Sequence, residues 1–422
     1  MANGDKQPSI VLKAGREKSV TRRHPWIFSG AITKTTGSPG PGDTVAVFAE
    51  DGKFLAWAAY SPESQIRARV WSYDRNDEIG PEFFQREIKQ SIGRRKLLIY
   101  DSQTGSLCHR PDDQVAQASR LCENTNAYRL INSESDNLPG LIVDKYNDIL
   151  VLQSLTAGSE KHKELFADIL KETTRCRAIY ERSDADVRTQ EGLSPATGFM
   201  RGSSAPERIE IFENGLRFVV DLIGGHKTGF YLDQRENRLI LRGLAAGRDV
   251  LNCFSYTGGF TVNALAGGAK RVVSVDSSEA ALELAAKNVV LNDYRPDECE
   301  WVREDVFQYL RGCVARGEKF DLVVLDPPKF AASREHLEKA GRAYKDINML
   351  AMKSLNPGGL LFTFSCSGAV CAEDFRKAAA WAALDANVET RIIKILSQAP
   401  DHPITLNFPQ SEYLKGLVLQ IH

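Results

Sequence analysis

Two stretches of the sequence place a reactive side chain where an apolar run ends. "GLLFTF" (359–364) leads into "SCSG" (365–368), so Cys366 falls where a buried strand would reach the surface. "FDLVVLDPPKF" (320–330) sets Asp326 in the same situation, followed by Pro327 and Pro328. An ordinary thiol, of pKa about 8.5, is only slightly ionised at neutral pH. A strand end beside a helix start or a cation lowers that value and yields a nucleophile. The competing reading of Cys366 is a packed core cysteine, which is common. Two consecutive prolines cannot extend a central strand. They fix a stiff loop past Asp326 whose carbonyls point in a set direction. Such a loop suits the planar edge of a base with amino and ring nitrogens; the alternative is a structural turn with a capping aspartate.

Three further run ends carry marked residues. "VLNCFSYTGGF" (250–260) places Gly258 and Gly259 in a turn from strand to helix, where glycine lets backbone approach a ligand. It is not a G-x-G-x-x-G motif. "VVSVD" ends in Asp276, 17 residues after Gly259, where an acid can accept hydrogen bonds from ribose hydroxyls or start a helix. "REDVF" (303–307) sets Asp305 at a third end, placed for an adenine edge. Their order and spacing together point to an adenosine-containing cofactor. Cys253, beside the glycine turn, reads as packing.

The elements that must hold these residues alternate regularly from about residue 208. An Asn-Gly hairpin signal in "RIEIFENGLRFVVDL" is followed by strands and helices in turn, among them a long helical region at 333–355. Near-continuous apolar strands predict a doubly wound sheet with ligands at its C-terminal strand ends. Residues 1–75 are instead short alternating pieces between Pro/Gly turns, predicting a small β-barrel or sandwich. A helix is expected over 81–99, its apolar positions being 83, 84, 88, 92, 97 and 98. Strand, hairpin, helix and strand follow to about 203, with a turn at Asn147-Asp148. "EGLSPATGFMRGSSAPE" (191–207) reads as a linker. The expected division is 1–75, 76–203 and 204–422.

The 422 residues are 42% hydrophobic and 26% charged, ordinary for a soluble globular protein of two or three domains. No window approaches the roughly 18 apolar residues of a membrane span. "MANGDKQPSI" lacks the apolar core of a secretory signal, so a cytoplasmic location is expected. The eight cysteines include no C-x-x-C pair, which fits a reducing compartment and neither zinc nor a disulfide framework. No metal is expected. A net charge of −1 does not itself point to nucleic acid, but residues 1–75 carry +4 and the remainder −5. "GREKSVTRRHPW" (15–26) and "KQSIGRRK" (89–96) are either phosphate-binding patches or solvated faces.

"RRHPWIFSGAI", "GGHKTGFYLDQRENR" (224–238), "CFSYTGGF", "LDPPKF", "YKDINMLAMKSLNPGGLLFTFSCSG" and "DHP" (401–403) together resemble the bacterial 23S ribosomal RNA cytosine-5 methyltransferases of the I type, in order over nearly the whole chain. The resemblance implies an N-terminal PUA β-barrel, a central α+β domain and a C-terminal class I, Rossmann-like methyltransferase domain using S-adenosyl-L-methionine. It implies that Cys366 adds to cytosine C6 while Asp326 bonds the N3/N4 edge, with Pro327, Pro328, Lys329 and Phe330 lining the substrate. The base that removes the C5 proton stays open among Lys329, Cys371 and a water, because "DPPKF" lacks the second cysteine of some related enzymes. Around the cofactor the resemblance places Phe254, Ser255, Tyr256, Thr257, Gly258 and Gly259 at the methionine end, Asp276 at the ribose and Asp305 at the adenine. Lys227, Thr228, Gln234 and Arg235 would lie near the carboxylate and substrate, unless Arg235 is a helix-start ion pair. Lys18, Arg22 and Arg23 are the phosphate candidates; His24 and Trp26 either stack on a base or pack. The implied partner is large-subunit ribosomal RNA, naked or in an assembly particle. The oligomeric state is open and compatible with a homodimer. Two other functions fit the same motifs: a base-nitrogen RNA methyltransferase, which needs no nucleophilic cysteine, and a non-catalytic RNA-binding assembly factor.

Overall fold

Alternation between Pro- and Gly-bearing turns makes the first strands short. In the computed structural model they are β1 (Ser9–Leu12), β2 (Trp26–Ile27), β3 (Ile32–Thr36), β4 (Thr44–Phe48), β5 (Phe54–Tyr60) and β6 (Ala68–Ser72). They form one sheet in the order β2-β6-β5-β4-β1-β3. Ile10, Leu12, Val45, Val47, Ala56, Ala58 and Val70 fill its core. The structure describes residues 7–100, 125–202, 207–330 and 337–422, without the side chains of 96–100 and 296. Cys108, Cys122 and the expected apolar positions 97 and 98 therefore lie outside the description, as do residues 333–336 of the expected helix.

The helix Pro81–Tyr100 buries Phe83, Phe84, Ile88 and Ile92, spaced to share one face. It packs on a second sheet, ordered β11-β10-β9-β8-β7. Its strands are β7 (Ala127–Asn132), β8 (Leu141–Tyr146), β9 (Ile149–Ser154), β10 (Ala178–Ser183) and β11 (Ala196–Arg201). β8 and β9 are antiparallel and joined at Asn147, whose φ of 56° is left-handed. The helix Ala157–Thr174 connects the parallel strands β9 and β10; Thr156 and Ser159 form a capping box at its start.

Strand β11 corrects the linker reading of 191–207. Its residues pair antiparallel with β10, Tyr180 opposite Phe199, with the two rings 4.9 Å apart. The Gly/Ser/Pro composition of the flanks obscured a six-residue segment able to cover a sheet edge.

Asp136 anchors this part of the chain. It is fully buried and accepts hydrogen bonds from Arg95 Nη1 and Nη2, Arg94 Nη2 and the Asn132 amide. Those cations hold its carboxyl below the usual range despite burial. The "DHP" segment joins the same network: Asp401 accepts from the Arg129 amide through its carboxylate and from Arg95 through its carbonyl.

β12 (Arg208–Glu213) and β13 (Leu216–Asp221) form the expected hairpin. Asn214 and Gly215 both have positive φ, 48° and 79°, as a type I′ turn requires.

The third sheet contains the apolar runs. β14 (Asp249–Cys253), β15 (Arg271–Asp276), β16 (Cys299–Arg303), β17 (Phe320–Leu325), β18 (Leu355–Ser365), β19 (Thr390–Leu396) and β20 (Lys415–Ile421) take the order β16-β15-β14-β17-β18-β20-β19. The first five are parallel; β20 runs antiparallel to both of its neighbours. The chain divides into two compact units. One comprises Met1–Ile211, Val220–Leu232 and Pro400–Ser411; the other comprises Phe212–Val219, Asp233–Ala399 and Glu412–His422. Among the described residues no helix is long and apolar enough to cross a membrane.

Candidate active site

The third sheet brings its chemistry to one edge because its parallel strands all end there. After β14 the chain passes through Phe254 (φ 58°), Ser255, Tyr256 (φ 47°), Thr257 and Gly258 (φ 78°) into the helix Gly259–Ala266. Two non-glycine residues in the left-handed region within three positions are costly, and such strain gathers at functional sites. Gly258 is required twice over: its φ disfavours a side chain, and a Cβ would stand 2.9 Å from that of Ala285. Asp276, at the end of β15, holds the turn. Its carboxylate accepts from the Tyr256 amide at 2.8 Å and the Ser278 amide at 2.9 Å.

The turn contains polar groups that no described residue satisfies. Ser255 and Thr257 are 5% and 3% exposed, yet among the described residues neither hydroxyl has a partner, and nor has Oδ1 of Asn252 in β14. Buried hydroxyls are normally bonded. Left-over donors and acceptors on a strained turn at the ligand edge fit a polar, adenosine-bearing cofactor. Gln234 adds another such group: its Oε1 accepts from Asn237 at 2.6 Å, while its buried Nε2 has no partner among the described residues.

Other expected cofactor residues have evident structural work. Asp305 is exposed and caps the helix Val306–Arg316 through the Gln308 amide at 3.0 Å. Arg235 opens the helix Arg235–Arg242 and pairs with Glu236 at 3.2 Å. Thr228 donates to Asp144 at 2.7 Å and shares a hydrogen bond with the Tyr146 hydroxyl at 2.8 Å. Lys227 is exposed, its ammonium 4.3 Å from the Tyr231 ring centre.

Asp326 and Cys366 follow neighbouring parallel strands in register, Leu325 opposite Thr363. Both are half-buried. The Cys366 thiol points toward the Pro327 carbonyl, 3.8 Å away, so the proline loop and the cysteine adjoin. Pro327 is buried, Pro328 and Lys329 are exposed, and the Phe330 ring packs 4.8 Å from Tyr344. Cys253, Cys299 and Cys313 are buried in contrast, and burial raises all three thiols, Cys313 to about 11 and Cys299 to about 12. They stay protonated. Cys371 is exposed at the start of the helix Ala372–Ala386, with its sulfur 3.1 Å from an Asp374 carboxylate oxygen.

Two residues behind Cys366 were not anticipated. The buried Tyr344 hydroxyl accepts from the Ser365 hydroxyl at 2.9 Å and pairs with that of Ser367 at 3.2 Å, so it ties the side chains on either side of Cys366. Burial raises its pKa and keeps it neutral. Lys415, only 6% exposed, donates to the carbonyls of Ser367 and Tyr413 at 2.8 Å each. A lysine at the head of the apolar run "KGLVLQI" was the available signal.

In the first sheet's region Lys18, Arg22 and Arg23 are exposed on and after the helix Lys18–Thr21. The Arg23 guanidinium lies 5.3 Å from the Tyr73 ring centre. His24 and Trp26 pack: their rings meet Phe408 edge-on at 5.5 and 4.9 Å, and Trp26 Nε1 donates to Glu134 at 2.7 Å.

A sheet in this order, parallel but for one inserted antiparallel strand, with a strained glycine turn and an unsatisfied polar edge, defines a class I nucleotide-cofactor methyltransferase architecture. The family model described as S-adenosylmethionine-dependent methyltransferase matches residues 91–404, a PUA-like domain matches residues 10–73, and the chain belongs to this methyltransferase family. The ribosomal RNA large subunit methyltransferase I of Tolumonas auensis is 49% identical over 413 residues, 98% of this chain and 99% of that protein. Its namesake from Aeromonas salmonicida is 47% identical over 411 residues, 97% and 98% of the two chains. A solved Streptococcus mutans structure, provisionally described as a SAM-dependent methyltransferase, shares the fold with a TM-score of 0.80 at 22% identity, covering 98% of this chain and 99% of that one.

Proposed function

We propose that this chain methylates C5 of a cytosine in large-subunit ribosomal RNA, with Cys366 as a covalent nucleophile. The observation that carries the reading is the half-buried Cys366 thiol adjoining the Asp326 loop at neighbouring strand ends. The name that the relatives share supports ribosomal RNA as substrate.

Cytosine C5 is a poor nucleophile. Addition of the Cys366 thiolate to C6 forms an S–C6 bond, breaks the C5–C6 double bond and moves electron density onto C5. Asp326 hydrogen-bonds the N3/N4 edge and stabilises the adduct. S-adenosyl-L-methionine, when bound, supplies an electrophilic methyl group; the Phe254–Gly259 turn, Asp276 and Gln234 would hold it. Loss of the C5 proton to Lys329, Cys371 or a water then restores the double bond and expels Cys366 as a thiolate. Residues 1–75 serve as the RNA-gripping part, with Lys18, Arg22 and Arg23 on phosphates. The single base to be modified is presented out of its stack.

Cys366→Ala should abolish methyl transfer while leaving cofactor binding intact, and RNA containing 5-fluorocytosine should trap a covalent complex with the wild-type chain only. Near-wild-type transfer by the alanine variant would remove the covalent mechanism and favour a base nitrogen as the acceptor.

A further inference from the structure

Lys415 opens β20 directly opposite Ser365, the residue before Cys366. Its side chain is almost wholly buried, and its ammonium is pinned by two carbonyls, one of them that of Ser367, the residue after Cys366. The two carbonyls accept two of its three protons and bring no formal charge. Among the described residues Lys415 forms no ion pair with a carboxylate, although a buried cation is strongly unfavourable without a counter-charge. The thiol flanked by its strand partner and its hydrogen-bond acceptor is the group placed to supply one.

We propose that Lys415 is a positioning residue whose buried ammonium serves as the fixed counter-charge of the Cys366 thiolate. The surrounding groups fit this arrangement. Tyr344, from the helix Leu337–Lys353, is a neutral hydroxyl. Burial lowers the pKa of Lys415; Cys366 opposes this most, followed by Glu412 and Cys371, while Lys329 acts with burial. The carboxyl of Asp326 leaves the adjoining strand end; whenever it is ionised it disfavours a second negative charge on sulfur, and Lys415 offsets that repulsion. The arrangement lets a thiol be ionised before substrate arrives, without a histidine base. The catalytic relevance rests on the reading of Cys366 as the nucleophile; the ionisation itself does not.

The test is peptide-resolved alkylation of Cys366 by iodoacetamide across pH in the intact protein. The wild-type midpoint should fall at least a unit below the ordinary thiol value of about 8.5. Lys415→Met should raise it by more than one unit, a several-fold loss of thiolate at pH 7, and Lys415→Arg should restore it in part. The pH profile of kcat should shift to the alkaline side in Lys415→Met with KM for RNA unchanged. Thermal unfolding and cofactor binding on the same samples identify a variant that does not fold. A wild-type midpoint at or above the ordinary value overturns the proposal whatever the variants do, as does an unchanged midpoint in folded Lys415→Met. An active Cys366→Ala variant would withdraw the nucleophile but leave the alkylation shift standing, so the two failures are distinguishable.

Discussion

Replacing Thr257 with valine should act with opposite signs on the empty and the ligand-bound protein. The side chain is 3% exposed, its carbonyl is held by Asn288 Nδ2 at 2.9 Å, and its hydroxyl has no partner among the described residues. A buried polar group without a partner costs about 1–3 kcal/mol. Valine has nearly the same shape and lacks that group. The unliganded variant should therefore gain about 1 kcal/mol, raising its unfolding temperature by roughly 2–4 °C for a unit of this size. If S-adenosyl-L-methionine satisfies the hydroxyl, the wild type recovers the cost on binding and the variant cannot. The same 1–3 kcal/mol then appears as roughly 5- to 150-fold weaker affinity. Differential scanning fluorimetry of the unliganded protein and calorimetric titration with S-adenosylhomocysteine read the two quantities. Ser255→Ala, which removes the second unpaired hydroxyl of the turn, should repeat the pattern. A variant that is less stable when empty and binds as tightly as wild type would refute the reasoning. The hydroxyl would then be structural, and the cofactor would lie elsewhere.

His162 lies among the rings of Phe84, Phe166 and Trp71, and burial, aided by the charge of Lys161, lowers its pKa from 6.5 to about 4. Between these values the unfolded chain binds the proton and the folded one does not, so stability should fall as pH drops from 6.5 to 4. His162→Gln should remove that part of the slope in urea unfolding measured at several pH values; an unchanged slope would place the acid sensitivity elsewhere. Arg22→Glu with Arg23→Glu should weaken RNA binding and reduce the dependence of log K on log salt by about 0.7–0.9 per lost phosphate contact. An unchanged slope would show this basic patch to be idle.

What could be read from the residues was what local physics dictates. Asn214-Gly215 announced a hairpin because only such pairs take two positive φ values cheaply. Asp276, Asp326 and Cys366 stood out because a strand buried on both faces stops abruptly where it reaches solvent, and the chain turns there. The unread part depends on partners far away in sequence. Lys415 reaches the cysteine loop only because β20 inserts antiparallel between β18 and β19. Thr228 gives its hydroxyl to Asp144, which nothing in "HKTGFYLDQREN" reveals. Asp305 illustrates a different difficulty: an aspartate after a strand and before a helix suits a ligand and a cap equally, and its identity does not distinguish them.

The two-unit division has a consequence for how such a gene can change. The chain passes between the units at 211/212, 219/220, 232/233, 399/400 and 411/412, so each unit is assembled from separated pieces. No single cut yields either unit whole. A stop codon after residue 399 would delete β20, and Lys415 with it, while also removing the Asp401 segment from the other unit. Neither half is a portable cassette, and shuffling this methyltransferase sheet onto a new RNA-binding partner would require several joins at once.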